Sequence, residues 1–276
     1  MGLPCFLLAL AFCAVSIVDS KPFNRYRRDD SAPNPIGSQY PNNVTGTLNQ
    51  TISIVPIPFA LARSIIPAQY GILTAAYKSL LPGFPANSYP SFHISYPFVD
   101  LLGDGYSSFQ YQEYLFVTST NPYAISGTEA YGTIPVPATF NPPDKAYAFT
   151  CPDPRKNKGD IFFDAYVPGN SQPVVTTKFK PMPAPAGPYS LNFFVNVTNQ
   201  PAFTDALACD NQIFYYNTTL SQGANAPVTI KGDIKVTAPY LPTTSTFKNV
   251  WGIKVDLAFL ENNLLPCGDL KGYQHV

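Results

Sequence analysis

FQYQEYLFVTS (109–119) decides how the rest of the chain is read. Its residues are aromatic or β-branched in partial alternation, the composition that fits a strand on a pleated surface. Segments of the same character recur on both sides of it. They are TISIVPI (51–57), SFHISYPFV (91–99), KAYAFTC (145–151), DIFFDAYV (160–167), VVTTKFK (174–180), LNFFVNVT (191–198), QIFYYNTTL (212–220), VTIKGDIKVT (228–237) and GIKVDLAFL (252–260), separated by Pro, Gly and Asn clusters. Helical spacing occurs only near the N-terminus. PFALARSIIP (58–67) has Pro where a helix starts and again where it would end, and AQYGILTAAYKSLLPGFP (68–85) predicts a second helix ending at Leu81. About ten strands around one or two short helices predict a mainly β (α+β) fold, a single closed or sandwiched antiparallel sheet.

The ends read differently. Residues 1–20 (MGLPCFLLALAFCAVSIVDS) are apolar and precede basic KPFNRYRR, which predicts a secretory signal peptide. No later window is apolar for the ~18 residues a membrane span requires. Residues 21–50 are rich in Ser, Pro, Asn and Gly and predict an extended arm, with Arg27-Arg28 as a dibasic processing site or a solvated charged patch. Residues 51–276 form the single domain, with order beginning at Thr51. Cys5 and Cys13 leave with the signal, so Cys151, Cys209 and Cys267 remain for one disulfide, and three pairings are open. The sequons at Asn43, Asn49, Asn196 and Asn217 predict glycans on exposed turns or strand faces. The expected localisation is extracellular, and the Pro/Tyr-rich style points to a fungal source.

Composition excludes several functions. Charged residues are 12% of the chain, against about 25% in ordinary soluble proteins, while 18 Tyr and 20 Phe raise the aromatic share to 14%. Formal net charge is zero, which leaves no electrostatic basis for gripping nucleic acid. Only His93 and His275 exist, and no G-x-S-x-G, P-loop, G-x-G-x-x-G or H-E-x-x-H occurs. No metal or cofactor is therefore expected.

Acids are scarce enough to be informative, because the only glutamates are Glu113, Glu129 and Glu261. In a continuous strand Glu113 would share a face with Phe109 and Tyr111, opposite Gln112 and Tyr114. On an interior face its carboxylate would be desolvated, as acid/base chemistry requires; on the outer face it is a solvated strand-end glutamate. Glu129 stands in GTEAYGTIPVPATF (127–140), whose glycines predict a tight exposed connection. His93, in SFHISYP, is a satisfied strand histidine or a site residue.

PIPFALARSIIP, followed by SYPSFHISYP, then Tyr111-Gln112-Glu113 and then Gly127-Thr128-Glu129-Ala130-Tyr131-Gly132, resembles the opening of the acetoacetate decarboxylase superfamily. GPYSLNFFVNVTNQPAF and APVTIKGDIKVTAPY are similar to its closing strands. The resemblance covers residues 50–260 in layout and about 40 residues in motif. It implies a double-layered, cone-like β-barrel with an interior cavity. It also implies catalytic roles for Glu113 and Glu129, with His93, Tyr111 and Tyr131 binding substrate. The family's Schiff-base lysine has no counterpart, since its position falls on Thr133 or Pro135. The nearest downstream lysine is Lys145, and no Lys or Arg lies between Lys78 and Lys145. The resemblance therefore implies lysine-independent acid/base lyase, dehydratase or cyclase chemistry on a small oxygenated hydrophobic metabolite, keto-acid or polyketide-like. The alternatives are a non-catalytic ligand carrier and a structural glycoprotein on the same fold. The expected partner is a small molecule, with no nucleic acid and no membrane span, and a homo-oligomer is open.

Overall fold

The computed structural model describes residues 33–92, 94–142, 159–183 and 187–272. The signal segment, Arg27-Arg28, His93, Lys145, KAYAFTC with Cys151, and His275 lie outside the described residues.

β1 (Val44–Pro58) runs into α1 (Phe59–Ile65), β2 (Gly71–Ile72) and α2 (Thr74–Leu80). β3 (Ser88–Phe92), β4 (Tyr96–Asp100), β5 (Phe109–Tyr111) and β6 (Tyr114–Thr118) follow, then α3 (Pro122–Glu129) and β7 (Ile134–Asn141). β8 (Ile161–Tyr166) and β9 (Val175–Pro181) precede α4 (Leu191–Thr198). The chain closes with β10 (Ala202–Phe203), β11 (Ile213–Tyr215), β12 (Val228–Val236) and β13 (Ser245–Glu261). The fold class expected from the sequence, mainly β with few helices, is the class observed. Among the described residues no helix is long and apolar enough to cross a membrane.

Nine strands form one sheet in the order β3-β1-β13-β12-β9-β8-β7-β6, with β11 beside β13. Four short strands form a second sheet, β10-β5-β4-β2. β13 is the longest strand of the large sheet and pairs antiparallel with β1 from Val44↔Glu261 to Ile54↔Trp251. Ile253, Val255 and Leu257 alternate along it and are buried, the period-two pattern of one sheet face. At Gly232, where β12 bulges against β13, a Cβ would come within 1.9 Å of the Lys178 carbonyl oxygen, so only glycine fits.

Four expectations are corrected. Order begins before Thr51: β1 starts at Val44, and Ile36 is buried with Leu220, Ala258 and Leu260 in a small second core. The sheets are not wholly antiparallel, since β6 runs parallel to β7 and β10 parallel to β5. A parallel pair requires a crossover, and α3 supplies it; Asn121 caps this helix by accepting from the Ala124 N–H at 3.1 Å, with Pro122 at its first position. LNFFVNVT is a helix and not a strand. The Ser190 hydroxyl accepts from the Phe193 N–H at 3.2 Å, and Phe193, Phe194 and Val197 then bury one face of α4 in the main core. Finally, FQYQEYLFVTS is two strands in two different sheets.

The main core is lined by Tyr and Phe to an unusual degree. Tyr77, Tyr89, Phe98, Phe109, Phe179, Phe193, Phe194 and Phe203 are all fully buried. Phe98 takes a left-handed backbone (φ 63°) between its ring contacts to Tyr77 and Phe193. Such a conformation is unfavourable for a non-glycine residue and persists only where packing over-determines it. It coincides with the register shift between Tyr96↔Tyr111 and Val99↔Phe109 that sets Tyr96 directly opposite Tyr111.

Candidate functional site

At Gln112-Glu113 the chain passes from the small sheet to the large one. The period-two reading fails there, because neither residue is in a strand and the alternation of β5 does not carry into β6. The crossing is nevertheless held at three backbone groups, the Gln112 N–H and the carbonyls of Gln112 and Glu113. The Gln112 N–H donates to Phe203 O at 3.0 Å, and the Ile134 N–H donates to Glu113 O at 2.9 Å. The Gln112 carbonyl accepts from the Thr133 hydroxyl at 2.7 Å and also from the Thr204 hydroxyl. Two segments, 133–134 and 203–204, thus fix the backbone from which Glu113 projects.

The consequence is that Tyr111, Glu113 and Tyr114, which a regular strand would divide between two faces, all line one cavity of about 240 Å³. Tyr96 enters from β4 opposite Tyr111, Ser64 and Ile65 from the end of α1, and Pro239 to Pro242 form the facing wall. Tyr240 stands against Tyr114 with ring centroids 5.4 Å apart and planes at 89°, and against Phe116 at 4.7 Å and 63°. Among the described residues Glu113 is the only ionic side chain in this lining. The volume lies below the roughly 300–1,000 Å³ that accommodates drug-sized ligands, so the cavity suits a smaller molecule.

Electrostatics follow from the burial. Desolvation raises the Tyr111 hydroxyl to about 12, with the Glu113 charge adding to it. Tyr96 is raised further for the same two reasons in the same order. Tyr114 is raised by desolvation, then by the Glu113 charge and by the hydrogen bond it makes to that carboxylate. These phenols therefore stay protonated at ordinary pH and act as hydrogen-bond donors around one carboxylate.

The other residues expected at the site are elsewhere. Glu129 is exposed at the C-terminal end of α3, outside the cavity lining, and is not brought together with Glu113: the crossover helix turns it to solvent. Tyr131 is 5% exposed and lies outside the lining too, because the turn after α3 packs its ring inward. Its hydroxyl is raised by burial and then by the charges of Asp210 and Glu261. Thr133 is buried as a backbone clamp, and Pro135 lies in β7. Sequence reasoning missed Tyr240, whose run APYLP (238–242) carries no periodic signal.

Beside Tyr131 lies an acid pair, Asp210 buried and Glu261 half-buried. Asp210 is raised well above the ordinary carboxyl range by burial, then by the charge of Glu261 and a hydrogen bond to it. Asp210 accordingly keeps its proton and donates it to the Glu261 carboxylate. The Gln212 amide donates to Glu261, and Asn263, with its nitrogen turned to the pair, donates to Asp210 at 3.2 Å and to Glu261. The neighbouring Cys209 is bonded to Cys267, which resolves the pairing among the three cysteines. Of the sequons, Asn43 and Asn217 are exposed, and Asn49 is half-buried and donates to Asp256 at 2.5 Å. Asn196 is corrected as a surface position: it is 7% exposed inside α4, accepting from the Gln200 amide at 3.2 Å.

No family model matches the sequence, and no curated protein matches it. Among solved structures the chain is similar to an acetoacetate decarboxylase-like enzyme from Sphingomonas wittichii RW1. The identity is 9% and the TM-score 0.41, over 80% of this chain and 91% of that one.

Proposed function

We propose that this is an extracellular protein whose cavity takes a small, oxygenated, largely apolar molecule and that Glu113 acts on it as acid/base, without an imine. The observation that carries this reading is the meeting of Glu113 with four tyrosines, Tyr96, Tyr111, Tyr114 and Tyr240, in one small cavity. Phenols combine apolar area with a polar handle, which suits a ligand that is mostly hydrocarbon with a few oxygens. Tyr114, bonded to the Glu113 carboxylate, orients it, and Tyr96 and Tyr111 are placed to donate to a ligand oxygen that gains charge. Among the described residues no lysine lines the cavity, and proton transfer is the chemistry the lining groups supply, in a lyase, dehydratase or cyclase reaction. A carrier that binds the same molecule without turnover is the second reading, favoured by the same phenol-rich lining.

The test uses the purified full-length secreted protein with a panel of β-keto acids and aromatic or polyketide-like ketones, products being followed by mass spectrometry. Turnover abolished by Glu113→Gln is the expected result. Turnover that survives the substitution removes Glu113 from the chemistry. Binding without product from any compound moves the reading to the carrier.

A further inference from the structure

The charge of the cavity narrows its ligand beyond size and polarity. Glu113 is the only ionic residue among the described residues of its lining, and Arg63 of α1, next in sequence to the lining residue Ser64, is committed elsewhere. Its guanidinium donates to three backbone carbonyls, Tyr70 at 2.8 Å, Ile66 at 2.8 Å and Pro67 at 2.9 Å. A ligand carboxylate would therefore enter beside a like charge, with no cation among the described lining residues to receive it. A purely neutral ligand would strip water from Glu113 and leave the carboxylate with the Tyr114 hydroxyl as its main compensation, an expensive way to bury a charge. A positive group meets neither objection.

The aromatic walls favour the same occupant. Tyr114 and Tyr240 stand at right angles, and Tyr96 and Tyr111 lie opposite each other on neighbouring strands with centroids 6.4 Å apart, so four electron-rich rings line the cavity with the carboxylate. Rings arranged in this way attract ammonium groups through their quadrupoles, and more strongly once water is excluded. Resting on the reading that this cavity is the ligand site, we infer that its ligand is an organic cation: a protonated amine or quaternary ammonium on a small apolar, oxygenated body. Glu113 pairs with the positive nitrogen, and the tyrosines cage it.

Calorimetric titration of the full chain with three probes of one skeleton tests this: phenethylammonium, 2-phenylethanol and phenylacetate. Phenethylammonium is expected to bind at least tenfold more tightly than 2-phenylethanol, with phenylacetate weakest. Glu113→Gln is expected to abolish the preference for the amine, and Tyr240→Leu to weaken the amine with Glu113 still present. The ranking in the unaltered protein decides the matter even if a variant fails to fold. Equal or tighter binding of the alcohol or the carboxylate, sensitive to Tyr240→Leu, overturns the cation and leaves the cavity as the ligand site. Absence of binding by all three, or binding that Tyr240→Leu does not change, overturns both.

Discussion

Two places in the molecule combine a carboxyl group with tyrosine, and they have opposite characters. Around Glu113 a single carboxylate faces an open cavity, and the tyrosines beside it are free to meet a ligand. Around Asp210 and Glu261 two carboxyl groups share a proton beside Tyr131, Asp210 buried and Glu261 half-buried, held by Gln212 and Asn263 next to the Cys209–Cys267 bond. The chemistry of the groups is nearly the same. What differs is access to solvent and the presence of a second acid. One carboxylate with room beside it is available to a ligand, whereas two without room satisfy each other and serve the fold.

The comparison breaks most visibly at the disulfide. Replacing Cys209 and Cys267 together by alanine is expected to lower stability by about 2–5 kcal/mol in urea unfolding, because the region of the acid pair loses its cross-link. Ligand binding at the Glu113 cavity should persist in whatever fraction remains folded. A loss of less than about 1 kcal/mol would show that the acid pair and its amides hold this region unaided.

Titration sharpens the contrast next. The folded protein holds the Asp210 proton more tightly than the unfolded chain does. The stability this contributes is complete below the ordinary aspartate value of 3.8 and is lost as pH climbs through the raised folded value. Asp210→Asn, which keeps a donor toward Glu261 but cannot ionise, is expected to flatten that loss. The difference in slope between the two proteins should approach about 1.4 kcal/mol per pH unit at most, one proton's worth, in denaturation across roughly pH 4–8. Parallel curves would mean that Asp210 does not carry the proton.

Smaller effects belong to the cavity. Thr133→Val removes a hydroxyl from the Gln112 carbonyl while Thr204 keeps its own, so a loss of about 1 kcal/mol is expected. Ligand affinity should fall with it, since this clamp sets the backbone of Glu113. Glu113→Gln is expected to change stability by no more than about 0.5 kcal/mol, as for other half-exposed positions outside packed networks. A large loss there would make Glu113 a structural acid like the Asp210–Glu261 pair.

Much of the fold was legible where one strong pattern ran undisturbed. VTIKGDIKVT and GIKVDLAFL alternate over enough residues to name β12 and the end of β13. PFALARSIIP announces α1 by its prolines. LNFFVNVT misleads because Phe and Val favour strands while the decision lies in a cap at Ser190 and in burial of Phe193, Phe194 and Val197. Asn121-Pro122 did carry a readable helix start, and reading it would have exposed the crossover and the parallel pair. Glu113 could be singled out by scarcity alone. Its surroundings could not, because the break at 112–113 depends on Phe203, Thr133 and Thr204, all far along the chain.

By itself the sequence determined the mainly β class, the dominance of Tyr and Phe over charge, and the short list of acids from which a site could be drawn. These are local or compositional properties, carried by each residue and its immediate neighbours. Which acid faces the cavity and which is paired was decided only by the tertiary structure. Desolvation, a second carboxyl within hydrogen-bonding reach and a wall supplied by Tyr240 are all products of long-range contacts, and no window of sequence contains them.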